Sequence, residues 1–63
     1  MSIDDLLTWC RSHDWGRRAE LIEIAGDPYI VGLDDWYMQG GVHCYRAVTL
    51  PAVPHIIRRW AGY

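Results

Sequence analysis

Two glycine-containing turn signals divide the middle of the chain into short segments rich in β-branched and aromatic residues. The first signal is GDP (Gly26–Pro28), and the second is the pair Gly40–Gly41. Glycine reaches the positive φ values that tight hairpin turns require, so both sites predict reversals of the chain. The pattern predicts three strands, with DDWYM (Asp34–Met38) in the loop before the third: Ala19–Ala25, Tyr29–Leu33 and Val42–Thr49.

Apolar residues at helical spacing lie on either side of these strands. Ser2 and Asp5 form a capping-box-like start, and a helix is predicted from about Ile3 to Asp14, with Gly16 as its stop. A second helix is predicted to begin near Pro51 and to end at Gly62. The two apolar stripes are Ile3, Leu6, Leu7 and Cys10, then Val53, Ile56, Ile57 and Trp60.

The element order is therefore α-β-β-β-α. We expect one small α+β domain over residues 1–63, a two-layer fold in which two helices cover one face of a three-stranded antiparallel sheet. The other face is expected to be open or closed by a partner. A chain of 63 residues has a marginal core, but four Trp and four Tyr supply large apolar surfaces for it.

The charge balance is acidic, with a net charge of −2, and all six basic residues are arginine. Small nucleic-acid-binding proteins usually carry a positive excess, because phosphate neutralisation supplies most of their affinity. The start MSIDDLL is acidic, unlike a signal peptide, and no apolar run is long enough to span a membrane. We expect a cytoplasmic protein with reduced thiols and no membrane partner.

Cysteine and histidine are the candidate metal ligands. Cys10 and His13 lie three residues apart, and His43 and Cys44 are adjacent. Adjacent strand residues point to opposite faces, so His43 and Cys44 do not converge on one ion. We predict no metal and no cofactor, and interpret Cys10 and Cys44 as small packed residues. A Cys10–Cys44 disulfide is the alternative.

Acid–base catalysis is the next candidate chemistry. The paired carboxylates Asp34 and Asp35 precede His43, but acid–base work needs a tuned pKa in a pocket that excludes water. No nucleophile elbow, phosphate-binding loop or zincin motif is present. His13, His43 and His55 are spread over three predicted elements, where each is expected to be a surface residue. We therefore expect a protein that is not an enzyme.

The segment IDDLLTWCRSHDWG (Ile3–Gly16) and the α-β-β-β-α order support one comparison. In element order the chain resembles double-stranded-RNA-binding domains and the HicA-type RNase toxins that share this topology, and the quoted segment resembles the opening helix of such a toxin. The resemblance implies RNA binding or RNA cleavage. Those toxins carry a Gly-Ser-His type motif on the first strand, whereas RRAELIEIA (Arg17–Ala25) contains neither Ser nor His. No catalytic residue is therefore carried over, since a shared topology does not fix a function.

Nucleic-acid binding has its own candidate residues. Arginines at both ends of the chain are predicted to form one basic edge, where Tyr and Trp would stack on bases. These arginines are Arg17, Arg18, Arg58 and Arg59, with Arg46 on the third strand. The alternative function is thus a nucleic-acid-binding regulator or an RNase-toxin-like protein.

Protein binding is the function that the sequence favours. Asp34, Asp35, Trp36 and Tyr37 crowd charge and aromatic surface together, as interface hot spots do. The alternative is that Trp36 caps the core beside a solvated acidic turn. We predict a non-enzymatic protein-binding module, of the kind that phage or mobile elements use to inhibit host nucleic-acid-processing or CRISPR-type complexes. A homodimer is also expected, because one sheet face is open.

Overall fold

The elements follow one another in the predicted order. A computed structural model describes all residues from Met1 to Tyr63. The elements are helix α1 (Ile3–Arg11), a 3₁₀ turn (Asp14–Gly16), strands β1 (Glu20–Ile24), β2 (Asp27–Gln39) and β3 (Val42–Pro51), and helix α2 (Pro54–Ala61). The strands form one antiparallel sheet in the order β1-β2-β3. The predicted α+β class and the α-β-β-β-α order are confirmed.

The hydrophobic core lies where both helices meet β2. Leu6 and Cys10 of α1 and Ile57 of α2 are fully buried against Ile30 and Leu33 of β2. Burying such a Leu or Ile side chain stabilises a fold by about 1.5–3 kcal/mol. Six further hydrophobic residues pack against this centre and are partly buried: Leu7, Trp9, Trp15, Val48, Leu50 and Trp60.

Helix α1 begins as predicted but ends three residues early. The Asp5 N–H donates to the Ser2 Oγ at 3.1 Å, which confirms the N-cap. The helix stops at Arg11 because the Ser12 hydroxyl donates to the Trp9 carbonyl at 2.6 Å, and the chain then tightens into the 3₁₀ turn. The prediction that Gly16 stops α1 is wrong. Gly16 ends the 3₁₀ turn, where a Cβ would overlap the Cys10 carbonyl oxygen.

The first hairpin turns one residue earlier than predicted. Ala25 and Gly26 have φ values of 52° and 86°, the positive pair that suits a two-residue hairpin turn. Asp27 and Pro28 therefore belong to β2. Pro28 lies opposite Glu23 of β1, and its carbonyl accepts from the Ala52 N–H at 3.0 Å.

The second strand is longer than the sequence predicts. The placement of Asp34–Met38 in a loop is wrong, because β2 continues to Gln39 and pairs with β3 along this whole segment. Cross-strand pairs such as Trp36 with Tyr45 outweigh the poor strand propensity of aspartate. The predicted turn at Gly40–Gly41 is confirmed, with φ values of 58° and 79°.

A bulge in β2 decides which residues face the core. Ile30 pairs with Leu50 and Leu33 pairs with Val48, so Val31 and Gly32 together oppose one residue of β3. The extra residue shifts the alternation, and Ile30 and Leu33 both reach the core although they are three positions apart. Beyond the bulge, even-numbered residues of β2 consequently face away from the core.

Strand β3 and helix α2 meet at a prolyl boundary. The expected helix start at Pro51 is wrong, because Pro51 pairs with Tyr29 and ends β3. Pro54 occupies the first turn of α2, where its missing N–H leaves no helical hydrogen bond unmade. Gly62 ends the helix as predicted, with φ 94° and its N–H bonded to the Arg59 carbonyl.

Candidate interaction surface

The most exposed apolar surface lies on the outer part of the β2–β3 hairpin, residues 35–46, which we call the distal hairpin. The molecule is elongated, with extents of 39 × 24 × 18 Å. None of the buried core residues lies on the distal hairpin. Trp36, Met38 and Val42 are 52%, 61% and 61% exposed. Large apolar side chains in one exposed patch are typical of an interaction surface.

One face of the distal hairpin carries most of this surface. It consists of Trp36 and Met38 from β2 and of His43 and Tyr45 from β3, and we call it the aromatic face. Trp36 lies directly opposite Tyr45 with ring centroids 5.0 Å apart, and its ring is 6.1 Å from that of His43. Cross-strand aromatic contacts of this kind hold the side chains in position while their outer surfaces stay exposed.

An ion pair fixes the inner end of the aromatic face. The Arg18 Nη2 donates to the Asp34 Oδ1 at 2.7 Å, and the guanidinium carbon lies 5.0 Å from the centre of the Tyr45 ring. The hydrogen bond to Asp34 raises the pKa of Arg18 further above its ordinary value. The Asp34 side chain is buried, whereas Arg18 is exposed. Arg18 thus holds Tyr45 in place through a cation–π contact.

A shallow cavity of about 450 Å³ opens beside this ion pair. Its lining combines charged groups with two aromatic rings: Asp14, Arg17, Arg18, Asp34, Trp36 and Tyr45. The cavity continues the aromatic face toward the 3₁₀ turn, so a partner that covers Trp36 and Tyr45 would also meet charged side chains there.

The opposite face of the distal hairpin holds a second ion pair. The Arg46 Nε donates to the Asp35 Oδ2 at 3.0 Å, and the Arg46 guanidinium carbon lies 5.8 Å from the centre of the Tyr37 ring. Tyr37 is 41% exposed. Cys44 lies opposite Tyr37 on this face and is half-buried. This face therefore combines an ion pair and a half-buried thiol with the exposed side chains of Tyr37 and Val42.

The structure therefore divides the predicted binding residues between two faces. Asp34 and Trp36 lie on one face, and Asp35 and Tyr37 lie on the other. Both carboxylates already bind an arginine of the same chain, so neither is a free acidic group for a partner. The alternative that Trp36 caps the core is wrong, since its side chain is exposed on the aromatic face.

The arginines predicted for nucleic acid differ in what they contact. Arg17 pairs with Asp14 at 3.1 Å, and Arg18 pairs with Asp34 as described. Arg58 and Arg59 lie on α2, and neither forms an ion pair with a carboxylate. These two arginines line a small cavity of about 220 Å³ together with His55 and Tyr63.

A second aromatic cluster was not predicted from the sequence. The His13 ring stacks on Trp15 with centroids 4.8 Å apart and contacts Trp9 at 4.6 Å, edge to face. Its Nδ1 lies 2.8 Å from the Trp9 carbonyl oxygen. Trp60 and Tyr63 close the cluster from the C-terminal end. The spacing of Trp9 and His13, four positions apart within the predicted helix, was the available signal, although His13 lies beyond the end of α1.

The two cysteines occupy different environments. Cys10 is fully buried, which confirms its interpretation as a core residue, and burial raises the pKa of its thiol. Cys44 is half-buried on the distal hairpin, and both cysteines are free thiols rather than a disulfide. No group of three or more His, Cys, Asp or Glu side chains is arranged to hold a metal ion.

Comparisons of the chain with protein-family models, curated proteins and solved structures found no match. The resemblance to double-stranded-RNA-binding domains and RNase toxins thus remains one of element order. Neither helix is long and apolar enough to cross a membrane.

Proposed function

We propose that this protein is a non-enzymatic protein-binding module whose contact surface is the aromatic face of the distal hairpin. The observation that carries the proposal is the exposure of Trp36, Met38 and Tyr45 side by side, at 52%, 61% and 48%. Aromatic and methionine side chains are the residues enriched at the centres of protein interfaces.

The arrangement of the aromatic face supports protein recognition in particular. The cross-strand contact of Trp36 with Tyr45 and the cation–π contact of Arg18 restrict the side chains before a partner arrives. Restrained aromatic side chains lose little conformational entropy on binding, which favours affinity. The Arg18–Asp34 ion pair lies at the edge of the patch, where polar groups of a partner would pack against it.

The experiment compares matched variants of the two hairpin faces. Trp36→Ala/Tyr45→Ala removes the aromatic face, and Tyr37→Ala/Val42→Ala removes exposed apolar surface from the other face. A partner is captured from a lysate with the native protein and purified, and its affinity for each variant is measured by calorimetry. We expect at least about a 30-fold loss with the first variant, since buried hot-spot side chains contribute about 2 kcal/mol or more.

A folding control and two alternative outcomes complete this experiment. Circular dichroism and urea unfolding establish that both variants keep the native fold, which is expected because none of the four side chains belongs to the buried core. Equal losses with the two variants would place the partner around the tip of the hairpin instead. Native affinity in the Trp36→Ala/Tyr45→Ala variant would contradict the proposal.

Nucleic-acid binding remains the second candidate function, and one observation favours it. Arg58 and Arg59 form no ion pair and lie beside Tyr63, so two cations and a ring share the end of α2. Binding of labelled single- and double-stranded RNA and DNA at low salt tests this candidate. Binding that weakens with salt and is lost in Arg58→Ala/Arg59→Ala, but not in Arg17→Ala, would support it.

The identity of the partner stays a prediction. Chain length, a net charge of −2 and the lack of a catalytic motif favour an inhibitor of a nucleic-acid-processing or CRISPR-type complex. The exposed aromatic face is compatible with that role.

A further inference from the structure

A second candidate surface is the outer edge of β1. In the sheet order β1-β2-β3, β1 has a neighbouring strand on one side only. All five of its residues, Glu20–Ile24, are exposed. Proteins usually protect such an edge with a proline, a charged side chain or a bulge, because an unpaired strand edge pairs readily with another chain. β1 has neither a proline nor a bulge, and its charged side chains are those of Glu20 and Glu23.

The backbone of β1 presents hydrogen-bonding groups outward at alternate residues. In an antiparallel pair of strands, two opposite residues either hydrogen-bond to each other or both direct their backbone N–H and C=O groups away from the partner strand. Pro28 directs its carbonyl away from β1, to the Ala52 N–H. Its opposite residue, Glu23, therefore directs its N–H and C=O to the free edge, and Leu21 does the same by alternation.

An apolar cavity of about 410 Å³ lies along this edge. Leu21 and Ile22 are adjacent and point to opposite faces, so a cavity that contacts both runs beside the strand. Ile3, Leu21 and Ile22 are 39%, 39% and 36% exposed, and they provide its apolar surface. The full lining is Ile3, Leu21, Ile22, Glu23, Gly26 and Pro28.

Both charged side chains of β1 are acidic, and neither pairs with an arginine of the same chain. Glu20 and Glu23 are the charged residues of the strand, and neither takes part in any of the three ion pairs of the protein. A second copy of the chain paired on this edge would bring two more glutamates and no cation from its β1. Glu20 and Glu23 are three positions apart and point to opposite faces of the sheet, so a strand with lysine or arginine at two positions three apart would instead complement both carboxylates.

We propose that the outer edge of β1 binds an extended segment of a partner protein that carries two basic residues three positions apart among apolar residues. The segment adds a fourth strand to the sheet, with main-chain bonds to Leu21 and Glu23 and apolar side chains in the cavity. This surface is on the opposite side of β2 from β3 and does not depend on the aromatic face.

The test uses two blocked, fluorescent peptides. One carries lysine at two positions three apart in a valine-rich strand, the other carries glutamate at the same two positions, and their binding to the full chain is followed by anisotropy. The lysine peptide is expected to bind at least about fivefold more tightly, from two cross-strand charge pairs. Equal affinities, or no binding of either peptide at concentrations up to about millimolar, would overturn the proposal.

Charge variants then place the binding on β1. Glu23→Lys is expected to weaken the lysine peptide and strengthen the glutamate peptide, whereas Asp14→Lys makes the same charge change at an exposed site on the 3₁₀ turn. Equal effects of the two variants would show attraction by net charge alone and would refute the site. If Glu23→Lys does not fold, Glu23→Gln serves in its place, with a smaller loss for the lysine peptide only.

Amide hydrogen exchange supplies an independent readout. Addition of the lysine peptide should slow exchange at the Leu21 and Glu23 amides and leave the distal hairpin unchanged. Protection confined to the distal hairpin, or dimerisation of the chain through β1 by light scattering without peptide, would contradict the proposed partner.

Discussion

Replacing Gly32 with alanine tests how the β2 bulge packs against the chain beneath it. Gly32 has a φ of 78°, and a Cβ there would lie 2.5 Å from the Arg18 carbonyl oxygen and 3.2 Å from its carbon. Two separate costs follow for Gly32→Ala. The side chain is strained by the positive φ, and it also forces apart two backbone segments that touch at the bulge.

The magnitude of the loss can be built from these two costs. A positive φ costs a non-glycine residue about 1–2 kcal/mol. Overpacking against a neighbouring backbone adds about 1–3 kcal/mol. At about 0.05–0.15 kcal/mol per residue, a chain of 63 residues has a free energy of unfolding of about 3–9 kcal/mol. The combined loss of about 2–5 kcal/mol would lower the melting temperature by about 10 °C or more.

The assay is urea unfolding followed by circular dichroism, with Gly40→Ala as the matched control. Gly40 also has a positive φ, 58°, but no atom lies within 4 Å of the Cβ that would be added. Gly40→Ala should therefore show the cost of the positive φ alone, about 1–2 kcal/mol. If the two variants lose the same free energy of unfolding, within about 0.5 kcal/mol, the close approach of Gly32 to Arg18 is refuted.

Three further predictions concern the first turn and the cysteines. Ala25→Gly should raise the free energy of unfolding by up to about 1 kcal/mol, because glycine adopts the φ of 52° without strain, although it loses more backbone entropy on folding than alanine does. A lower urea midpoint would contradict this. Iodoacetamide should label Cys44 in the native protein and Cys10 only after unfolding, as read by mass spectrometry, and equal labelling rates would contradict the burial of Cys10. Because burial raises the pKa of Cys10, the folded state holds this proton more tightly than the unfolded state. The resulting stability is present below the ordinary thiol pKa of about 8.5 and is lost as pH rises through the raised value, so Cys10→Ala should flatten the fall in urea midpoint above about pH 8.5.

Much of the fold could be predicted because its signals are local. The Ser2 cap of α1, the Gly62 end of α2 and the Gly40–Gly41 turn each depend on residues within one turn of the chain. The alternation of β3 was also predicted, and Arg46 and Val48 lie on one face, as the register shows. The element order and the α+β class follow from these signals together.

The errors have a common physical origin in contacts between distant residues. Asp34 and Asp35 are poor strand formers, so their segment was predicted as a loop. In the fold, Asp34 is neutralised by Arg18, sixteen positions away, and Asp35 by Arg46, eleven positions away. These ion pairs and the aromatic pairs of β3 stabilise a strand that local propensity disfavours.

The candidate site shows the same division between local and tertiary effects. By itself, the sequence identified Trp36 and Tyr37 as neighbouring candidate contact residues, but it predicted a loop there and therefore assigned neither of them to a face of the sheet. Only the tertiary structure decided which face each one occupies, because the Val31–Gly32 bulge shifts the alternation relative to the core. The bulge forms where β2 packs against Arg18 and pairs with β3, and those contacts depend on segments far apart in the chain. The exposure of Trp36 and the ion pairs of both aspartates with arginine are therefore properties of the assembled fold, since no local sequence pattern encodes where a strand contains the extra residue of a bulge.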